Sequence, residues 1–190
     1  MGRFMNHKKL VVALALIATA LILTHLPVSE ADAAASASDF LIEGSTLTKY
    51  RGTDERVTIP DTVEVVGESA FENNQKVQLV VVPKSVKRMD AYVFWGCDNL
   101  EEVVLGKGLT SVDEYAFSGC TGLKQITIPE NVQSIDAQAF AGCTNLTDIY
   151  IPDTVTSIAD DAFLNCDNVT IHADEGSVAE KFAQKLAEQK

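Results

Sequence analysis

Positive charge is scarce in this 190-residue chain: 15 Lys and Arg stand against 27 Asp and Glu, a formal net charge of -12. That balance has the wrong sign for holding phosphate backbones and excludes nucleic acid as a partner. Histidine is scarcer still, and of the three only His172 lies beyond residue 25. With no C-x-x-C among four cysteines, a zinc site is excluded as well. G-x-S-x-G, H-E-x-x-H and a complete phosphate-binding glycine loop are all missing; Gly106-Lys107-Gly108 is too short to be one. Adjacent acids such as Glu101-Glu102 and Asp160-Asp161 read as solvated turn positions. The chain therefore offers no nucleophile and base constellation, no catalytic residue and no cofactor or metal ligand set, and is read as non-enzymatic. Disorder is excluded in turn, because 46% hydrophobic and 22% charged residues form a globular composition.

Long apolar runs are limited to one. Arg3, Lys8 and Lys9 precede the uncharged stretch Leu10 to Leu23, and small residues follow, with Ala31-Asp32-Ala33 and Ala35-Ser36-Ala37 both fitting an A-x-A cleavage site. Fourteen uncharged residues fall short of the roughly 20 apolar ones that span a bilayer. Residues 1–37 are thus expected to be a secretory signal peptide, with an uncleaved N-terminal anchor as the alternative. No cysteine closes the run, so lipid attachment is not indicated. Cleavage after Ala37 leaves 12 basic against 25 acidic residues and deepens the net charge to -13.

What is abundant is periodicity. Phe71, Phe94, Phe117, Phe140 and Phe163 are each 23 residues apart, and Pro60, Pro83, Pro129 and Pro152 keep the same step with Gly106 in the vacant slot. Val57, Val80, Val103, Ile126 and Ile149 form another column, followed two residues on by Ile59, Val82, Leu105, Ile128 and Ile151. The clearest copy is CTGLKQITIPENVQSIDAQAFAG, Cys120 to Gly142. A 23-residue unit with L-x-x-I-x-I lies in the range of leucine-rich repeats. Alternation turns Ile126 and Ile128 inward and Thr127 outward, and Pro129 ends the strand because it has no N–H for a ladder. One unit cannot bury this face alone, so a stacked solenoid held by nearest-neighbour interfaces is predicted.

These residues resemble the BspA-like leucine-rich repeats, whose units read C-x-x-L-x-x-I-x-I-P-x-x-V-x-x-I-x-x-x-A-F. The resemblance runs from about Ser38 to the end of the chain. It implies a leucine-rich-repeat solenoid of parallel strands with short turns or 3-10/helical segments, and a secreted or cell-surface protein of a family linked to adhesion and host-protein binding. The expected organisation is an N-terminal hairpin cap over 38–56, five 23-residue repeats over 57–171 and an amphipathic capping helix over 172–190. For the caps, Phe40–Ile42 and Leu47–Tyr50 read as strands around Gly44, while Ser177-x-x-Glu180 is a capping box ahead of Val178, Phe182 and Leu186.

Cys97, Cys120, Cys143 and Cys166 share one column, with Asn74 in the first copy, and are read as buried free thiols supporting the turn backbone. Asp90, Asp113 and Asp136 stack into an acidic column that either solvent screens or a cation such as calcium bridges. Asn145 and Asn168 fit a glycosylation pattern, but both fall at one repeat position. The candidate partner-binding surface is the outward strand column Thr58, Val81, Val104, Thr127 and Tyr150, flanked by Leu79, with Trp95 as a second candidate anchor. The expected role is a non-enzymatic module binding an extracellular or host-surface protein. A glycan or small-ligand binder, with Tyr150 and Trp95 as stacking surfaces, is the alternative, and a spacer anchored by an uncleaved signal is another.

Overall fold

The structure, a computed structural model, describes residues 35–188. The export segment read at residues 1–37 lies, up to residue 34, outside them. The strands in chain order are β1 (Phe40–Glu43), β2 (Thr46–Tyr50), β3 (Arg56–Thr58), β4 (Val65–Val66), β5 (Leu79–Val81), β6 (Arg88–Met89), β7 (Glu102–Val104), β8 (Ser111–Val112), β9 (Gln125–Thr127), β10 (Ser134–Ile135), β11 (Asp148–Ile151), β12 (Ser157–Ile158) and β13 (Thr170–Ala173). The helix α1 (Val178–Glu188) follows. The molecule is the predicted leucine-rich-repeat solenoid. Each 23-residue coil contributes one longer and one shorter strand, and equivalent strands of successive coils pair in parallel.

The longer strands form one face, with β3–β5–β7 and β9–β11–β13 as its two ladders. The shorter strands form a second face from β8–β10–β12 and from β4–β6, which β2 extends in parallel. Both faces are interrupted around a single coil: β7 pairs back to β5 but not onward to β9, and β8 pairs onward to β10 but not back to β6. Gly106-Lys107-Gly108 lies between β7 and β8. At the interruption Lys124 N–H reaches Glu101 O at 3.5 Å, whereas one coil later Thr147 N–H reaches Lys124 O at 2.9 Å. Leu105, expected inward with its column, is only partly buried here.

The turn after the second strand carries a third run of coil-to-coil bonds, including Phe94 N–H to Ala116 O and Phe117 N–H to Ala139 O, both 2.8 Å. Its shape uses two left-handed residues in each of the first four coils and one in the last. One column is Gly96, Gly119 and Gly142, with Asn73 and Asn165 at the outer coils, all at positive φ. Glycine and asparagine tolerate this region best, which explains the recurrent G-C and N-C in the sequence. The other column is Ser69, Tyr92, Tyr115 and Gln138, at φ between 53° and 60°, where a side chain costs roughly 1 kcal/mol or more. The bonds of the stacked turns hold them there.

Inside, the phenylalanine column forms a continuous ring stack. Centroids of Phe71, Phe94, Phe117, Phe140 and Phe163 lie 5.1 to 5.3 Å apart with planes within 29° of parallel. The stack continues past the period at both ends: Tyr50 lies 5.0 Å from Phe71 and Phe40 lies 5.1 Å from Tyr50, while Phe182 of α1 tilts at 51° over Phe163. Tilted rings at both ends close what a further parallel ring would extend.

Both caps are built as the pattern implies. In the hairpin β1 and β2 pair antiparallel, and Gly44 takes φ 63° in the turn. At the other end Ser177 Oγ accepts from Glu180 N–H at 3.1 Å, and the Glu180 carboxylate reaches back to Gly176 N–H at 2.7 Å. The buried face of α1 centres on Ala179 and Phe182, with Leu186 partly buried. Val178 is not on it. That corrects the four-residue spacing, because the first turn rotates Ala179 onto the last coil instead.

Candidate functional site

Register places the outward column as a row on the longer-strand face. Thr58, Val81 and Val104 are partners across β3–β5–β7, with Arg56, Leu79 and Glu102 one row aside. Leu79, Val81 and Val104 are half-exposed while Val57, Val80 and Val103 between them are buried, as alternation demands. Thr127 and Tyr150 continue the row on β9 and β11. The face is therefore apolar over its second and third coils and polar or aromatic toward the C-terminal end.

Trp95 is not on this face. It sits in the turn after Phe94, 39% exposed, with its backbone N–H bonded to Tyr92 O. In its column three coils on is Leu164, 48% exposed, and Ala141 between them is buried. The same turns carry a ring pair that the sequence reading missed: Tyr92 and Tyr115 stack at 4.8 Å with planes 6° apart. Their 23-residue spacing was the available signal.

A second missed group is His172. A strict step of 23 puts Ala173 after Tyr150, but the register pairs Tyr150 with His172 and Ile149 with Ile171. The last coil is one residue short between Val169 and Ile171, which shifts His172 into the outward row. There it stacks on Tyr150 at 4.4 Å and its Nε2 lies 2.7 Å from Asp148 Oδ1. Hydrogen bonds from His172 and then Thr147 hold the Asp148 carboxyl below the usual carboxylate range.

In the acidic column, Arg88 bonds Asp90 and Ser111 donates to Asp113, each at 2.6 Å. Burial, opposed by the Ser111 hydrogen bond and reinforced by Asp136 and Asp90, raises the Asp113 carboxyl. Among the described residues no group of three His, Cys, Asp or Glu is placed to hold a metal ion.

The four cysteines are free and buried. Each thiol donates to a phenylalanine carbonyl of the preceding coil, Cys97 to Phe71 O, Cys120 to Phe94 O, Cys143 to Phe117 O and Cys166 to Phe140 O, at 2.9 to 3.1 Å. In the first copy Asn74 Oδ1 accepts from Lys76 and Val77 N–H groups and supports its own turn. Burial pushes the Cys97 thiol up to about 12 and Cys120 well above the ordinary range. Asn145 Nδ2, the atom a glycan would occupy, donates to Thr121 O at 2.8 Å, so this side chain serves the coil-to-coil contact.

Parallel coils of nearly constant length, an inward ring stack and a thiol ladder define a leucine-rich-repeat solenoid, in general an interaction fold and not an enzyme scaffold. The family described as BspA type leucine rich repeat region matches residues 49–170 in six copies, one more than the five full units counted from the period, and the chain belongs to that family. Among solved structures it is similar to a leucine-rich cell surface protein of Faecalibacterium prausnitzii A2-165, with 33% identity and TM-score 0.68 over 73% of this chain and 37% of that one. A leucine-rich repeat protein of T. pallidum has 26% identity and TM-score 0.70, covering 73% of this chain and 70% of that one. One from Bacteroides ovatus has 29% identity and TM-score 0.60, covering 68% and 36%. The chain thus spans little more than a third of the length of the F. prausnitzii protein. No curated protein matches it. Proteins of this family are typically at the cell surface or secreted, and among the described residues no helix is long and apolar enough to cross a membrane.

Proposed function

We propose that the chain is a non-enzymatic interaction module, secreted or displayed at the cell surface, that binds an extracellular or host-surface protein through its longer-strand face. The observation that carries this reading is the row Leu79, Val81 and Val104, three half-exposed apolar side chains side by side between Thr58 and Thr127. An apolar centre with a polar margin is the usual anatomy of a protein-binding patch. A rigid ladder loses little conformational entropy on docking, so such a patch retains most of its contact energy. Adhesion and host binding follow from the family resemblance, and the export segment at residues 1–37 is what delivers the module outside.

The test is affinity capture from extracellular and host material with the wild type beside Val81→Asp and Trp95→Ala. Val81→Asp is expected to lose captured proteins by placing a charge in the centre of the patch. An unchanged captured set with both variants sinks the placement of the surface. One observation favours a second reading: Tyr150 and His172 stack beside the Asp148 carboxylate, and an aromatic face with a neighbouring acceptor suits a sugar. Hits confined to a glycan array, with none on a protein array, decide for that alternative.

A further inference from the structure

The Gly106-Lys107-Gly108 turn stands out within the repeat because three irregularities meet there. The coil lacks the proline of its column, both strand ladders break around it, and two glycines pass close against the backbone of the coil before it. A side chain at position 106 would collide with the backbone at Pro83 and Val82, and one at 108 with the backbone at Lys84 and Val86. Glycine at both positions lets the turn sink toward the preceding coil. An open recess of about 530 Å³ lies at this edge, lined by Asp61, Lys84, Ser85, Lys87, Lys107 and Asn131.

The lining is chemically unlike the rest of this acidic chain. Lys84 and Lys107 occupy one column on neighbouring coils, and Lys87 lies one residue before β6. All three are exposed. Among the described residues Lys84 and Lys87 form no ion pair, and Lys107 approaches Glu130 only at 3.9 Å with both side chains 80% exposed, a contact of little worth. Lys87 Nζ reaches only the Lys84 carbonyl, at 3.5 Å. Beside them, Ser85 Oγ is the one buried side-chain polar atom among the described residues that has no hydrogen-bond partner. A buried hydroxyl without a partner in the chain is costly unless water or a ligand satisfies it.

We propose that this recess binds a small sulfate or phosphate monoester, its oxyanion held by Lys84, Lys87 and Lys107 with Ser85 Oγ as a further donor. Ammonium groups serve as point-charge partners for such an anion. The column reads Asp61, Lys84, Lys107, Glu130, so acids bracket the two cations and repel an extended polyanion while leaving room for one anionic group. The volume exceeds what the oxyanion needs and accommodates its organic substituent.

The test is a titration of the folded chain, followed through backbone amide resonances, with glucose 6-phosphate, glucose 6-sulfate and inorganic phosphate against sodium chloride of equal ionic strength. Saturable shifts at Ser85, Gly106, Lys107 and Gly108 are expected for both esters, with a dissociation constant of about 1 mM or tighter. The paired variant Lys84→Ala, Lys107→Ala should weaken binding by about tenfold or more, while Lys124→Ala, whose ammonium pairs with Glu101 at 2.6 Å, should not. Ser85→Ala should bind more weakly yet melt at a higher temperature without ligand, since it removes the unpartnered atom. Shifts reproduced by chloride, binding retained in the paired variant, or binding of inorganic phosphate without either ester overturns the proposal. Ester binding unaffected by Ser85→Ala overturns the hydroxyl's part in it.

Discussion

Replacing Phe117 by leucine tests the packing account at its centre. The Phe117 ring is wholly buried and sits 5.3 Å from Phe94 and 5.2 Å from Phe140, with planes 14° and 3° from parallel. Leucine keeps most of the buried apolar volume, so the main loss is two ring pairs at about 0.5–1.5 kcal/mol each, together about 2 kcal/mol. Full truncation to alanine adds a cavity and raises the cost to about 3–5 kcal/mol. Phe182→Leu makes the internal comparison, because Phe182 has one tilted ring neighbour, at 5.8 Å, and should lose about half as much. Urea unfolding followed by circular dichroism reads the difference: with a slope of about 2 kcal/mol/M, Phe117→Leu should lower the midpoint by about 1 M and Phe182→Leu by about 0.5 M. Equal shifts for the two variants, or a Phe117→Leu midpoint unchanged from wild type, would refute the claim that ring stacking between coils carries this stability.

Other outcomes follow from the same geometry. Four thiols should titrate after denaturation without reductant, and Cys97 and Cys120 should not react rapidly in the native protein near pH 8, because burial suppresses their thiolates; fewer than four after denaturation contradicts the free-thiol ladder. Asp113 has a folded pKa above its unfolded value, so its ionised form opposes folding at neutral pH. Asp113→Asn should then stabilise the fold, seen as a higher melting temperature at pH 7 that vanishes under acid. Asp148 runs the other way: its depressed carboxyl contributes stability that is present above the unfolded value near ~4 and is lost as pH falls through the folded one. Asp148→Asn should flatten that acid limb, and an unaltered pH profile of melting temperature rules the contribution out.

The repeating core was readable because a solenoid uses one environment many times. Phe71 to Phe163, the cysteines and the alternating strand columns each recur wherever the coil returns to the same place, so spacing alone located strands, turns and buried faces. What escaped were the departures from the period. Tyr50 and Phe182 join the ring stack from cap segments that share no period with it, and only their packing shows this. His172 was displaced by a single missing residue, which a fixed step of 23 carries past. The ladder breaks around Gly106-Lys107-Gly108 depend on how near two backbones approach, and the substitution of glycine for proline hints at that without measuring it. Tyr92 and Tyr115 were in register in plain sight, but their left-handed turn made them neighbours on the surface in a way that strand alternation does not describe.

The central claim is that the row Leu79, Val81 and Val104 is the surface this module presents to a protein partner. Quantitative capture from extracellular and host proteins with wild type, Val81→Asp and a control beside the acidic column, at the residue after Asp113, Glu114→Lys, tests it most directly, provided all three melt alike. The account predicts that partners retained by wild type and Glu114→Lys are lost from Val81→Asp. Retention of the same partners by Val81→Asp, or their loss from Glu114→Lys alone, contradicts it.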